Sequence, residues 1–253
     1  MQISPLNQRR FNNFKSNKRG WYSFWIFSFL FLISIFADFI ANDKPLLVRY
    51  DNAFYLPIIN EYPETIFGGD FETEADYRDP FVKKLINSNG WIIMPIIPYS
   101  YNTIIRDLNV PAPAPPSQKN WLGTDDQARD VLARLIYGFR ISILFGFTLT
   151  FFSMIIGVSA GAVQGYFGGK TDLFFQRFME IWSAIPALYV LIILASIVQP
   201  NFWWLLIILL IFSWMGYVGV VRAEFLRARN FDYVRAAKAL GVSNSTIMFR
   251  HLL

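Results

Sequence analysis

A chain of 253 residues that is 54% hydrophobic, with no cysteine and 23 basic against 18 acidic side chains, does not read as a soluble domain. Its charges are gathered in blocks between long apolar runs, whereas a soluble domain spreads them along amphipathic elements. The missing cysteines exclude a disulfide framework and cysteine-based metal or redox centres, and the +5 net charge flanks apolar runs, where Lys and Arg set topology, so it does not point to nucleic acid.

A bilayer core of about 30 Å needs roughly 20 apolar residues in a helix. Four runs meet this: Trp21 to Ala41, Ile141 to Val163, Trp182 to Val198 and Phe202 to Val221. The third is shorter and is expected to start near Phe178. A buried helix of a large soluble core is the bland reading of each run, but four of them would need a far larger soluble shell. A signal peptide is the other reading of the first run. It is too long for that and no small-x-small cleavage site follows. The expectation is an all-α polytopic membrane protein with the first membrane helix over 21–42.

Residues 1–20 carry five bases and no acid, which assigns this tail to the cytoplasm. Residues 43–139 carry 13 acids and 9 bases, a net of −4, and suit the outer side. From Arg222 to Leu253 there are six bases and two acids, which suits the inside. Four spans put both basic ends on one side. Arg129, Arg134 and Arg140 conflict with this locally, because they precede the second span on the side assigned outside. An interfacial helix could let them snorkel. Asp38 is ionisable within a span and is either a functional group or a solvated residue at the outer boundary.

The segment 43–139 shows no sustained helical or strand period. It is expected to form a small cap on the outer face, serving as a docking surface or as a spacer. Val110-Pro-Ala-Pro-Ala-Pro-Pro-Ser117 predicts an extended polyproline II connector. Beyond it, Asp125 to Phe139 predicts a helix capped by Thr124, with an apolar stripe of Val131, Leu132, Leu135 and Ile136, lying along the membrane.

No catalytic constellation appears. His251 is the single histidine, so no histidine-based metal site or catalytic triad can be assembled, and no phosphate-binding Gly-Lys loop is present. No cofactor is expected. Gly157 and Gly161 form a small-xxx-small pair that lets another helix approach closely. Gly165-Tyr-Phe-Gly-Gly169 predicts a helix stop and a tight turn. Beyond the fourth span, Asp232 can cap a short helix that Gly241 ends, and Ser243 can start the next one. Ala236, Ala237 and Ala239 keep that short helix slim. It suits a groove on a cytoplasmic partner, or is a plain loop.

Tyr233-Val-Arg-Ala-Ala-Lys-Ala-Leu-Gly241 followed by Arg250-His-Leu-Leu253 resembles the coupling loop of ABC importer permeases. Leu122-Gly-Thr-Asp-Asp-Gln-Ala-Arg-Asp-Val-Leu132 is similar to an element of their dipeptide/oligopeptide branch, DppC/OppC-like. Arg134-Leu-Ile-Tyr-Gly-Phe-Arg-Ile-Ser142 fits it too. Asn42 to Asp51 and Val221 to Asp232 resemble the Yej-type permeases of peptide and microcin C importers. The resemblance implies a multi-pass subunit of the bacterial inner membrane with a periplasmic insertion at 43–139 and an incomplete type I transmembrane domain at 140–253. It also implies four partners besides the lipid bilayer: a second permease, ATP-binding cassette subunits that hydrolyse the ATP, a periplasmic solute-binding protein and a peptide substrate. Arg235, Ala236, Ala237, Lys238 and Gly241, within the loop 230–253, would meet an ATPase subunit.

Two departures accompany the likeness. Ala128 replaces a glycine of the family pattern, and Arg235 stands where many coupling loops have glutamate. The family pattern continues beyond Leu253 into a proline and two further spans, so four of six spans are expected here. Two other readings stay open: a membrane-anchored fragment without transport activity, and a permease for another solute such as nickel.

Overall fold

The computed structural model describes residues 4–199 and 201–252. Residues 1–3 of the basic tail, Leu253 at the end of the loop 230–253 and the side chain of His251 lie outside the described residues. The chain divides into two compact units, Met1–Ile143 and Leu144–Leu253.

The first unit opens with α1 (Pro5–Ser16) and α2 (Lys18–Ile35). The Asn17 side chain between them accepts from the Gly20 N–H at 3.2 Å and so caps α2. The first apolar run is one helix of 18 residues, about 27 Å long at 1.5 Å per residue. It breaks at Phe36 and resumes as the short α3 (Ala37–Ile40).

Beyond α3 the all-α expectation fails. Strands β1 (Leu47–Tyr50), β2 (Ala53–Tyr55) and β3 (Gly90–Ile93) form an antiparallel sheet in the order β2-β1-β3. Asp51 and Asn52 both sit at positive φ, 46° and 61°. That is the two-residue turn whose twist matches a hairpin, and Asp and Asn tolerate it better than most residues. Strands of three and four residues are too short to display a period, which is why the segment looks featureless in sequence. Helix α4 (Pro80–Asn89) begins with Asp79 accepting from the Phe81 N–H at 2.8 Å. Its Val82 and Ile86, one turn apart, join Val48, Phe67, Ala75 and Tyr77 in a core of their own. A second cluster gathers Ala37, Ala41, Ile97, Tyr99, Ile105, Ala133 and Tyr137.

The proline-rich stretch is not an extended connector. Ala114 N–H donates to Thr124 Oγ1 at 2.9 Å, Thr124 N–H returns a bond to the Ala114 carbonyl at 3.0 Å, and Ser117 N–H donates to the Asn120 carbonyl at 2.8 Å. This stretch is folded back onto residues 120–124 by the groups those residues offer.

Helix α5 (Val131–Phe167) is a single 37-residue element. The predicted surface helix over Asp125–Phe139 and the second run are therefore one rod, about 55 Å long. In the second unit α6 (Gly169–Ser183) and α7 (Ala187–Ile197) are bent by 63° at a break that ends on Pro186, and this pair holds the third run. Helices α8 (Phe202–Ser213) and α9 (Met215–Ala228) continue through Trp214, which is itself helical. The loop helix α10 (Asp232–Ala239) follows.

Among the described residues two helical stretches, Val131–Phe167 and Phe202–Ala228, are long and apolar enough to cross a membrane, and the α6–α7 pair would make a third. Only 11% and 17% of their most apolar stretches are buried. Apolar helices left so bare belong in lipid or against other apolar helices, not in water.

Candidate functional site

In the second unit a ladder of small residues on α5 sets the geometry. Ser153, Gly157, Gly161 and Gly165 recur every fourth residue and so share one face of the helix. Ser153 Oγ lies 2.6 Å from Ser213 Oγ. A Cβ at Gly157 would stand 2.3 Å from the Trp214 carbonyl oxygen, one at Gly161 2.8 Å from that of Val218, and one at Gly165 2.5 Å from Phe225 Cβ. The backbones of α5 and α9 approach that closely, so only glycine fits. Gly165 is part of this stripe as well as of the helix stop read from sequence. Below it Gly168 and Gly169 take positive φ, 63° and 53°. Arg229 Nη1 reaches the carbonyls of Gly165 and Tyr166, both at 3.4 Å, where α5 runs out of internal donors. Arg222 makes a two-pronged bridge to Asp172 of α6, at 2.6 and 2.7 Å.

The loop after α9 is built on this base. Gly241, at φ +80°, ends α10, and the Ser243 hydroxyl accepts from the Thr246 N–H at 3.3 Å to begin the next turn. Asp232 lies in the first turn of α10 instead of capping it, since Phe231 holds the cap position. Val234 and, half-buried, Ala237 face inward. They pack with Ile247 and Met248 against Ala162 and Tyr166 of α5 and Phe225 of α9. Tyr166 Oη donates to Asn244 Oδ1 at 2.7 Å. The segment Ile247–Leu252 closes the loop as a π-helix.

Of the residues singled out from sequence, Arg235, Ala236, Lys238 and Gly241 lie exposed on this loop, and Ala237 does not. Arg235 Nε donates to the Asn230 carbonyl at 3.1 Å, and its guanidinium stands 3.5 Å from Asp232. Leu240, 84% exposed, was missed. A leucine standing free beside a run of alanines was the available signal. The spacing of Val234, Ala237 and Val242 could have shown which side of the loop faces in.

The 122–132 element holds the start of α5. Gly123 takes φ +74°, and a Cβ there would stand 2.4 Å from the Ala114 carbonyl oxygen. Asp125 accepts from the N–H groups of Gln127 at 3.0 Å and Arg129 at 2.9 Å, from Arg129 Nε at 2.9 Å, and from Arg134. Burial works to raise its pKa, but the Arg129 and Gln127 bonds outweigh that and hold it at about 2. Asp130 caps α5: its carboxyl accepts from the Ala133 N–H at 2.8 Å and from Asn120 Nδ2 at 2.9 Å. Thr124 does not cap the helix, because its hydroxyl is taken by Ala114. The three arginines that conflicted with the charge pattern have carboxylate partners. Arg129 and Arg134 hold Asp125, and Arg140 Nη1 lies 2.7 Å from Asp38. Tyr137 Oη lies 2.8 Å from both Asp38 Oδ1 and the Ala41 carbonyl, so Asp38 is tied to α5 while nearly half of its side chain stays exposed, 47%.

Ala128, which stands where the family pattern has glycine, takes φ +59°. A left-handed non-glycine residue costs about 1–2 kcal/mol, and glycine gives part of that back as unfolded-chain entropy. Ala128→Gly should therefore stabilise the chain by about 0.5–1 kcal/mol. A rise in melting temperature in detergent is the expected result, and a fall would refute the argument.

A family model described as "Binding-protein-dependent transport system inner membrane component" matches residues 132–253. Another, "N-terminal TM domain of oligopeptide transport permease C", matches residues 4–57. The inner membrane ABC transporter permease protein YejE of Escherichia coli (strain K12) is 55% identical over 252 residues, which are 100% of this chain and 74% of that protein. The peptidoglycan transport system permease protein YejE of Agrobacterium fabrum is 54% identical over 275 residues, covering 99% and 72%. The oligopeptide transport system permease protein OppC of Bacillus subtilis is 35% identical over 155 residues, 61% of this chain and 50% of that one. With its bare apolar helices and a match along its whole length, the chain belongs to the inner-membrane permease family of ABC transporters, in the YejE-like group of the dipeptide/oligopeptide branch.

Proposed function

We propose that the chain is a transmembrane subunit of an ATP-driven peptide importer, lining part of the path and taking its driving motion through residues 230–253. It pairs with a second permease and receives peptide from a periplasmic solute-binding protein. ATP is hydrolysed by cassette subunits on the cytoplasmic side. Four spans are counted from the apolar runs, the first run, α2, joining the two long stretches and the bent pair, and the charge pattern sets a cytoplasmic N-terminus and a periplasmic segment 43–139. That topology is supported by the carboxylate partners of the three arginines, Asp125 shared by Arg129 and Arg134 and Asp38 for Arg140, which offset two of the three positive charges.

The observation that carries the reading is the two-sidedness of α10. Its inner face is anchored on α5 and α9 through Val234 and Ala237, and its outer face offers Ala236, Lys238 and Leu240. A helix held this way passes on a push received at its exposed side, and its bare leucine suits an apolar groove in the partner. Ala236→Glu with Leu240→Glu should abolish co-purification with the ATPase subunit while leaving membrane insertion intact, since neither side chain supports the loop. Unchanged assembly and peptide uptake in that variant would sink the coupling assignment. Gly241 and Ala237 are poorer targets, because φ +80° and inward packing make their variants misfold the loop.

A further inference from the structure

Residues 58–131 lie between the two segments that the family models match, whereas the YejE relatives align along 99–100% of this chain. A folded piece with a core of its own therefore lies where neither family model matches and where the YejE relatives still align. Beside that core opens a groove of about 1000 Å³, at the upper end of the range of small-molecule pockets.

Its walls carry both signs of charge. The side chains of Lys83 and Arg106 line it, are exposed, and make no hydrogen bond or ion pair among the described residues. Of the groove's acids, Asp76 and Asp79 each accept from one backbone N–H, of Arg78 at 2.9 Å and of Phe81 at 2.8 Å, which leaves further lone pairs open, whereas Asp107 is paired with Arg78 and Lys119. The same lining includes apolar side chains that a lone domain in water would be expected to cover, with Ile96 71% and Trp121 56% exposed. Unsatisfied cations alone would suit an anion, and carboxylates alone a cation. Both together, in a groove whose lining is also apolar, suit a molecule with one charge of each sign and an apolar body. No group of metal-type ligands occurs among the described residues.

We propose that this groove binds a short peptide by its free amino and carboxyl ends. Lys83 and Arg106 take the carboxylate, Asp76 and Asp79 take the ammonium group, and Trp121 and Ile96 cover the backbone and side chains. The proposal rests on the peptide-import reading, which faces this module toward incoming substrate.

The test uses the full chain in lipid nanodiscs, titrated with trialanine and with N-acetyl-trialanine amide, whose ends carry no charge. Free trialanine should bind, and the blocked peptide should bind at least about tenfold more weakly, because charge-assisted bonds are lost at both ends. Lys83→Ala with Arg106→Ala should weaken trialanine by a similar factor, and Arg49→Ala, outside the groove, should not. Equal affinity for the two peptides, wild-type affinity in the double variant, or no binding at millimolar trialanine would each overturn the site. So would loss of solute-binding-protein capture in the double variant with trialanine binding unchanged, which would make the groove a protein-docking surface. Trialanine uptake by the assembled transporter without groove binding would refute the site and leave the import reading standing. Groove binding without uptake of any peptide would support the site and refute the import reading.

Discussion

Gly157→Ala should destabilise the second unit by roughly 2–3 kcal/mol, the range of costs for forcing extra volume into a packed contact. The added methyl would stand 2.3 Å from the Trp214 carbonyl oxygen and 2.8 Å from Tyr217 Cβ, and both neighbours are too rigid to swing aside. Real Cβ atoms do not come so near, so α9 must move away from α5. Gly165→Ala meets Phe225 Cβ at 2.5 Å and the Arg222 carbonyl at 2.6 Å, and should cost nearly as much. Gly161→Ala, at 2.8 Å from the Val218 carbonyl, should cost least of the three. At Gly146, on the same helix, an added methyl would have nothing within 4 Å. There alanine should be neutral or stabilising by about 0.5–1 kcal/mol, the helix-interior advantage of alanine over glycine. Apparent melting temperatures of the four variants in one detergent would rank them 157, 165, 161, 146 from lowest to highest. A flat ranking would mean that α5 and α9 are not held by close backbone packing. The effect should reach the loop, because Tyr166 and Phe225, which carry Val234 and Ile247, lie on the two helices that would be driven apart.

What could be read from sequence divides along a physical line. Bilayer thickness imposes a long uniform signal, so the apolar runs were plain and each is helical. Glycines at helix ends and turns were legible because positive φ singles them out, as at Gly168 and Gly169 between α5 and α6 and at Gly241 after α10. The sheet was not legible. Strands of three or four residues, joined by Asp51-Asn52 and by a long excursion to β3, have their partners far away in sequence. The start of α5 was misplaced for a related reason. Thr124 and Asp130 are both good caps, and the choice was decided by Ala114, ten residues back, which occupies the threonine hydroxyl. The coupling loop was found by likeness, while its inner face, marked in sequence only by the spacing of Val234, Ala237 and Val242, became plain from their packing with Ala162 and Tyr166. The groove beside α4 drew no notice at all, since Lys83, Arg106 and Trp121 come from separate stretches with no shared spacing.

The second large effect is expected at Asp130. This side chain is 1% exposed and does two things at once, accepting from the Ala133 N–H at 2.8 Å and from Asn120 Nδ2 at 2.9 Å. Asp130→Ala removes a helix cap, worth about 1 kcal/mol. It also strands the buried amide of Asn120, which costs a further 1–3 kcal/mol. The sum is about 3 kcal/mol, large against the marginal stability of any domain. Asp130→Asn keeps the shape and can keep the cap, but it turns an acceptor into a donor toward Asn120 unless the amide flips and gives up the Ala133 bond. It should fall between alanine and the native residue. The two residues form one unit, so the double variant Asp130→Ala, Asn120→Ala should be less destabilised than the sum of the single variants, by 0.5 kcal/mol or more. Thermal unfolding of the four proteins in the same micelles would show this. Strict additivity would mean that the bond to Asn120 contributes nothing, and that the aspartate of the 122–132 element serves only as a cap.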